Sequence, residues 1–377
     1  MAKRFAEPSA RLTPRPASQG SAPDYILLGV VVVLMILGIL ILANVSAPLS
    51  VERFGTTYYF LNHQLLFGFL PGLILAFLLF RVRLDLVKKW APLFLLINLI
   101  LLALVFLPGL GVEFRGANRW INFGHFSFQP SEFLKLTFIL YLAAWLKELM
   151  WADSQTFLVF LAVIGVIGLL LIFQPDISTL GIIILVAGLM YFLAKTPLWQ
   201  SFLLIFIIAA SLFSLIKLVP YRAARFLVFL NPAADPMGMG YQIKQALITA
   251  GSSGIFGLGL GMSQMKFGFL PQSIADSIFA IFAEETGFIG STFLIFLFLI
   301  FLWRGFRIGK LCQDKFSQLT AWGITSWICL QSFMNIGAMI GVLPLTGIPL
   351  PFISYGGSAL IVELAGVGIL LNISKRT

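Results

Sequence analysis

The feature that most constrains this chain is a succession of apolar runs, each about twenty residues long, separated by short polar breaks. A helix of about twenty residues spans the roughly 30 Å hydrocarbon core of a bilayer. Inside lipid, every backbone N–H and C=O must find its partner within the protein, so such runs fold as helices. The runs lie near 24–45, 61–80, 90–109, 132–147, 156–174, 178–194, 198–219, 277–303, 318–340 and 354–373. The chain therefore reads as all-α, a polytopic integral membrane protein with about ten transmembrane helices. Composition agrees: 59% of residues are hydrophobic and 11% charged, where a soluble domain carries about a quarter charged. A water-soluble fold is excluded, because its surface would have to be apolar as well.

Charge placement orients the spans. Residues 1–23 carry Lys3, Arg4, Arg11 and Arg15 among Ser, Pro and Ala, without the apolar core of a signal peptide. They read as a disordered cytoplasmic tail. Residues 24–377 form one transmembrane domain with a single large connection, 220–275. An even number of spans puts both termini on one side. With that side cytoplasmic, sixteen of the 25 Lys and Arg fall in inner segments, as the positive-inside rule requires. Both termini are expected in the cytoplasm and 220–275 outside. Cys312 and Cys329 imply neither a disulfide framework nor a thiolate metal site, and His63 and His125 are too few for a histidine-rich centre. No paired, interrupted helices mark an inverted-repeat transporter, and no nucleic-acid-binding element is read.

The outer cations cluster in 108–131 and 220–275. They either touch lipid headgroups or bind an anion, since guanidinium forks and ammonium groups suit phosphate oxygens. In the first loop Gly116-Ala117-Asn118-Arg119-Trp120-Ile121 permits a turn followed by an interfacial ring. Ser131 then stands ready to cap the next helix, with Glu132 and Lys135 on one face. Gln174-Pro175-Asp176 reads as a tight hairpin in which Asp176 or Ser178 caps a helix. In 220–275, Arg222 and Arg225 lie about one helical turn apart. Tyr241 to Ala250, including Lys244, has the period of a short surface helix. Gly251 to Gly261 reads as close backbone packing. Lys266 follows, and Asp276 opens the next span as a helix N-cap or as a base. Two turns deeper in that span, Glu284 can line the same cavity, whereas Glu285 points away and suits a helix–helix contact. Leu343 to Ser358 is an apolar, proline-rich connection, tolerated at membrane depth only when buried in protein or lining a cavity.

Taken together, Gly116 to Ile121, Phe128-Gln129-Pro130-Ser131-Glu132, Gln174-Pro175-Asp176, Asp276-Ser277-Ile278-Phe279 with Glu284-Glu285, and Pro349 to Ser358 resemble the SEDS family, which includes FtsW, RodA and SpoVE. The resemblance runs from about residue 24 to the end. It implies a ten-helix SEDS-type fold that polymerises lipid II into glycan strands on the outer face of the bacterial cytoplasmic membrane. It also implies work beside a class B penicillin-binding protein. The family's essential aspartate maps onto Asp276 and its essential tryptophan onto Trp120; further family positions map onto Arg119, Glu132 and Lys135. The loop before Asp276 departs from the division-type pattern, with Gly268, Gln272, Ile274 and Ala275 where Glu, Glu, His and Thr are common. Tyr58 to Gln64 looks like FtsW and Thr346 to Pro349 like RodA; the balance leans towards FtsW.

The chemistry expected is an inverting glycosyl transfer between undecaprenyl-diphosphate-linked substrates. Asp276 is the candidate general base. Arg119, Arg222, Arg225, Lys244 and Lys266 are candidates to offset diphosphate charge. Trp120, Glu132, Lys135 and Glu284 complete the expected substrate site, and a divalent cation (Mg2+ or Mn2+) can assist. A precursor flippase and a non-catalytic scaffold are the alternatives.

Overall fold

The computed structural model describes residues 22–107, 110–114, 117–122, 124, 127–148, 154–194, 196–204, 206–207 and 227–376. Its helices, in chain order, are α1 (Tyr25–Phe54), α2 (Tyr59–Arg81, with a π-helical turn at Leu65–Phe69), α3 (Leu84–Leu104), α4 (Pro130–Glu148), α5 (Ser154–Phe173), α6 (Ile177–Leu193), α7 (Met239–Gly251), α8 (Ile278–Leu311), α9 (Lys315–Met339) and α10 (Gly357–Ser374). Among the described residues, α1, α2, α3, α8 and α10 are long and apolar enough to cross a membrane, and α5 and α6 are apolar but shorter. Most of the span expected at 198–219, and the tail up to residue 21, lie outside the described residues.

The bundle is apolar outside and polar at selected points within. Val32, Ile36 and Leu40 of α1, Leu66, Leu70 and Ile74 of α2, and Phe288, Phe293 and Phe296 of α8 are exposed. Surface of that kind suits hydrocarbon and not water. Lys135, Glu132, Gln331, Asn335 and Glu363 are instead buried. The core helix is α10, largely apolar around its circumference and 94% buried over its apolar stretch, as expected of a helix with no solvent face. Small residues let it approach α2 closely. A Cβ on Gly368 would sit 2.3 Å from the Ala76 carbonyl, and one on Gly72 would sit 2.7 Å from Leu364. In lipid, helix association depends on such packing.

The domain's two ends meet on one face. Asp24 caps α1 by accepting from the Leu27 N–H at 2.9 Å, pairs with Arg304 near the end of α8, and donates its own N–H to Ser374 Oγ at 3.0 Å. Lys147 at the end of α4 donates to Asp314 in the α8–α9 turn at 2.5 Å on this face. The opposite end therefore carries the start of α8 and the connection into α10.

Two features refine the sequence reading. Residues 111–128 contain a three-stranded antiparallel sheet, β1 (Gly111–Phe114), β2 (Ala117–Asn122) and β3 (Ser127–Phe128). Strands of two to six residues are too short to display a period of two against the surrounding aromatics. Second, α8 is broken at Gly287, whose φ of 68° and ψ of −165° are not helical. The Gly251–Gly261 run repairs the break. Leu258 and Gly259 donate to the Glu284 and Glu285 carbonyls at 2.9 and 3.0 Å, and Phe288 and Ile289 donate to Gly254 and Ile255 at 3.0 and 3.2 Å. A Cβ on Gly257 would lie 2.3 Å from the Glu285 carbonyl oxygen, so this run is the close backbone packing expected.

Candidate active site

Asp276 stands one residue ahead of the cap position of α8. Ser277 occupies that position and makes no capping bond through its side chain, so the N-cap reading of Asp276 gives way. Its peptide is held instead by other elements. Asn335 of α9 donates to the Asp276 carbonyl at 2.8 Å and to the Ile348 carbonyl at 2.7 Å. Ser354 Oγ donates to the Ala275 carbonyl at 2.6 Å, and the Tyr355 N–H donates to the Ile274 carbonyl at 2.9 Å. Gln242 of α7 donates to Ser277 Oγ at 3.1 Å. The half-buried Asp276 side chain faces Gly347, where a Cβ would lie 3.6 Å from Oδ2. Gln272 and Phe352, in the two segments that meet here, have φ values of 56° and 65°. Such conformations in non-glycine residues persist only where their surroundings over-determine them.

The connection into α10 is fixed from below by a buried polar chain. Glu132 and Lys135, three apart on α4, pair at 2.8 Å. Lys135 Nζ donates to Gln331 Oε1 at 2.7 Å and lies 5.3 Å from the centre of the Trp327 ring. Trp327 Nε1 donates to the same Gln331 oxygen at 2.9 Å, while Gln331 Nε2 donates to the Pro349 carbonyl at 3.0 Å. Glu363 of α10 accepts from the Phe352 N–H at 2.9 Å. Buried charges persist only when paired and hydrogen-bonded, and here the pairing sets the backbone that carries Gly347.

Arg119 and Asp176 join the sheet to this assembly. Arg119 donates through Nε to the Gln174 carbonyl at 3.0 Å and through Nη2 to the Pro175 carbonyl at 2.6 Å. It thereby satisfies groups left open where α5 ends. Asp176 caps α6 through Thr179 at 3.4 Å and accepts from Ser131 Oγ at 2.8 Å. Ser131, expected as a helix cap, is used here instead. Ser178 Oγ donates to the Thr346 carbonyl beside Gly347. Trp120, on the same strand as Arg119, is half-buried.

The remaining expected site residues separate. Lys244 is exposed on α7, and Arg222 and Arg225 lie outside the described residues. Lys266 and Glu284 are 7% and 4% exposed and belong to the α8 break rather than to the Asp276 surroundings. Lys266 donates to Asn44 of α1 and to the Gly261 carbonyl, both at 2.6 Å, and lies 3.5 Å from Glu285. Glu284 accepts from Ser263 Oγ. Glu285 accepts from Asn44 at 2.5 Å, the helix–helix contact expected of it. Among the described residues no three His, Cys, Asp or Glu come together as a metal site.

Residues 24–377 match the FtsW/RodA/SpoVE family, described as cell cycle proteins. The chain belongs to this family. The FtsW/RodA/SpoVE chain is 38% identical over 358 residues to stage V sporulation protein E of Bacillus subtilis (strain 168), covering 94% of this chain and 98% of that one. It is 40% identical over 373 residues to the probable peptidoglycan glycosyltransferase FtsW of Nitrosococcus halophilus (strain Nc4), covering 96% and 95%. Among solved structures, a peptidoglycan synthase complex that coordinates polymerization and crosslinking matches with a TM-score of 0.77 at 28% identity, covering 94% and 98%. The rod shape determining protein RodA of Thermus thermophilus matches with a TM-score of 0.70 at 27% identity, covering 94% and 97%.

Within this FtsW/RodA/SpoVE fold, the residues missed from sequence are Gln331 and Asn335. They lie four apart on α9 and therefore share a face. Uncharged amides inside a span are a weaker signal than carboxylates, but they too need partners in lipid.

Proposed function

We infer that this chain polymerises a lipid-linked disaccharide precursor, lipid II, into glycan strands at the outer face of a bacterial cytoplasmic membrane. It is a multi-pass membrane protein and a peptidoglycan glycosyltransferase, as its curated relatives are named. The observation that carries the mechanism is the anchoring of Asp276. Its backbone and that of its neighbours are bonded by Asn335, Ser354 and Tyr355, while its carboxylate faces Gly347. A general base needs such fixed geometry more than it needs any particular partner.

In the reaction, the hydroxyl oxygen of the acceptor sugar bonds to the anomeric carbon of the strand. The bond from that carbon to the diphosphate oxygen breaks, and the hydroxyl proton passes to Asp276. Charge grows on the departing diphosphate, where Arg119, Lys244, Arg222 and Arg225 are the proposed electrostatic partners. Trp120, Glu132 and Lys135 are proposed to support this substrate site through the walls described above. Lys266 and Glu284 are assigned to holding the α8 break. A flippase or scaffold role draws no support from the intramembrane carboxylates, because Glu284, Glu285 and Glu363 all bond to loop or helix partners. Association with a class B penicillin-binding protein is proposed from the similarity to a synthase complex, as are inward-facing termini from the cation count and a division role from the Tyr58 to Gln64 motif.

The test is reconstituted polymerisation of purified lipid II. Asp276→Asn is expected to lose about 10²–10⁴-fold in rate while keeping its unfolding temperature, since Asn keeps the side chain's shape and serves at a helix start as well as Asp does. A folded Asp276→Asn protein with wild-type rates would refute the assignment.

A further inference from the structure

The outer end of α2 carries a surface that the reaction at Asp276 leaves unused. A cavity of about 570 Å³ opens there, with Thr57, Tyr58, Tyr59, Asn62, His63 and Phe67 among its walls. That size falls within the range of small-molecule clefts. Tyr59, His63 and Phe67 recur every four residues, so their rings line one face of the helix. Tyr59 stacks on Phe54 with centroids 3.5 Å apart and planes 12° from parallel, and it lies 24° from parallel with His63. Tyr58 and Tyr59 are still 56% and 39% exposed.

The platform is tied to the reaction centre. His63 Nδ1 and Tyr355 Oη share a hydrogen bond of 2.9 Å. Behind it, buried Gln64 accepts from the Gly356 N–H at 3.0 Å. Ser354 and Tyr355 are the residues that hold the Ala275 and Ile274 carbonyls just ahead of Asp276.

The chemistry of the walls selects a ligand class. Among the described residues that line the cavity there is no Lys or Arg, which disfavours diphosphate. Leu66 and Phe67 add apolar wall, but an isoprenoid chain alone would leave the hydroxyl and amide groups unsatisfied. Flat aromatic faces rimmed by Thr57, Asn62 and phenol hydroxyls complement a pyranose ring, apolar on its C–H face and polar at its edge. We propose that this cavity is a saccharide subsite, holding a sugar ring of the growing glycan beyond the reacting one. No residue of 271–277 lines the cavity, so the ring it holds is not the one undergoing attack. The proposal rests on the polymerase reading for its ligand.

The experiment uses the full chain in detergent micelles and two readouts. In the first, a soluble oligosaccharide of alternating N-acetylglucosamine and N-acetylmuramic acid is the probe in saturation-transfer NMR. Wild type and Asp276→Asn are expected to transfer saturation to its ring protons; Tyr59→Ala and Asn62→Ala are expected to lose most of that transfer. In the second, lipid II polymerisation is followed by strand length. Tyr59→Ala is expected to shorten strands and raise KM by roughly 2- to 10-fold, the effect of losing one aromatic contact, with Tyr59→Trp restoring most of both. If Tyr59→Ala does not fold, Asn62→Ala at the exposed rim decides. Undiminished transfer and wild-type strand length in the folded variants would overturn the subsite, leaving these rings as interfacial anchors. A wild-type protein that binds the probe but makes no polymer would instead overturn the polymerase reading and leave the subsite standing.

Discussion

At the scale of single residues, the backbone at Asp276 is held by Asn335, Ser354 and Tyr355. Gly347 faces the Asp276 carboxylate. Its φ of 68° lies in the left-handed region, and a methyl there would lie 3.6 Å from Asp276 Oδ2. Gly347→Ala is expected to cost about 1–2 kcal/mol through the backbone. A methyl at 3.6 Å is an ordinary contact with the carboxylate, so any slowing of polymerisation is expected to follow from the same backbone shift. Unfolding temperature and initial rate, measured on the same preparation, check the two effects. Arg119 is open to a similar separation. Its two donors hold the Gln174 and Pro175 carbonyls, so Arg119→Ala should lower the unfolding temperature, and Arg119→Lys should restore it only in part because the fork is lost. A rise in KM with no thermal change would show that its main contact is the diphosphate.

At the scale of elements, the break in α8 and the loop that fills it stand or fall together. Gly287 cannot accept a side chain: a Cβ would meet the Gly257 nitrogen at 2.3 Å and the Ile255 carbonyl at 2.5 Å. Gly287→Ala is expected to destabilise the protein by on the order of 1–3 kcal/mol and to expose the 254–266 loop to protease before global unfolding. A loop as resistant as in wild type would contradict the docking. On the opposite face, Asp314 caps α9 through the Ser317 N–H at 3.0 Å and accepts from Lys147. Burial alone raises its pKa, but the bonds from Lys147 and Ser317 outweigh that and hold it below the usual carboxylate value. A carboxyl with a lowered folded-state pKa stabilises above its unfolded value and loses that contribution as pH falls through the folded one. Unfolding temperature should therefore drop as pH falls below about 4, and Asp314→Asn should flatten the drop.

At the scale of the molecule, the Asp24–Arg304–Ser374 contacts bring both ends of the domain to one face, while Asp276 lies at the other. With inner termini, a cysteine replacing the exposed Ser252 should react with an impermeant thiol reagent outside intact cells. Native Cys312 should stay silent, since burial and then Asp314 push its thiol up to about 12 and keep the thiolate scarce. Labelling at position 252 only after permeabilisation would reverse the orientation.

The sequence by itself determined the class of fold and the family. Those follow from one-dimensional quantities: the length of apolar runs and ordered motifs such as Pro349 to Ser358. It also marked Glu285 as a helix contact and the glycine run as close packing, because a carboxylate in lipid and a chain without Cβ atoms each admit few uses. The tertiary structure alone decided which polar groups meet. Lys266 and Glu284 read as substrate ligands in the sequence, yet beside the α8 break Lys266 bonds Asn44 and pairs with Glu285, while Glu284 accepts from Ser263. Asp276 was open to reading as a cap or as a base, and Ser277 holds the cap position. Gln331 and Asn335 stood unremarked among apolar neighbours, yet they link Lys135, Pro349, Ile348 and Asp276. A buried polar atom must be satisfied, but many partners at distant sequence positions can satisfy it, and only packing selects among them.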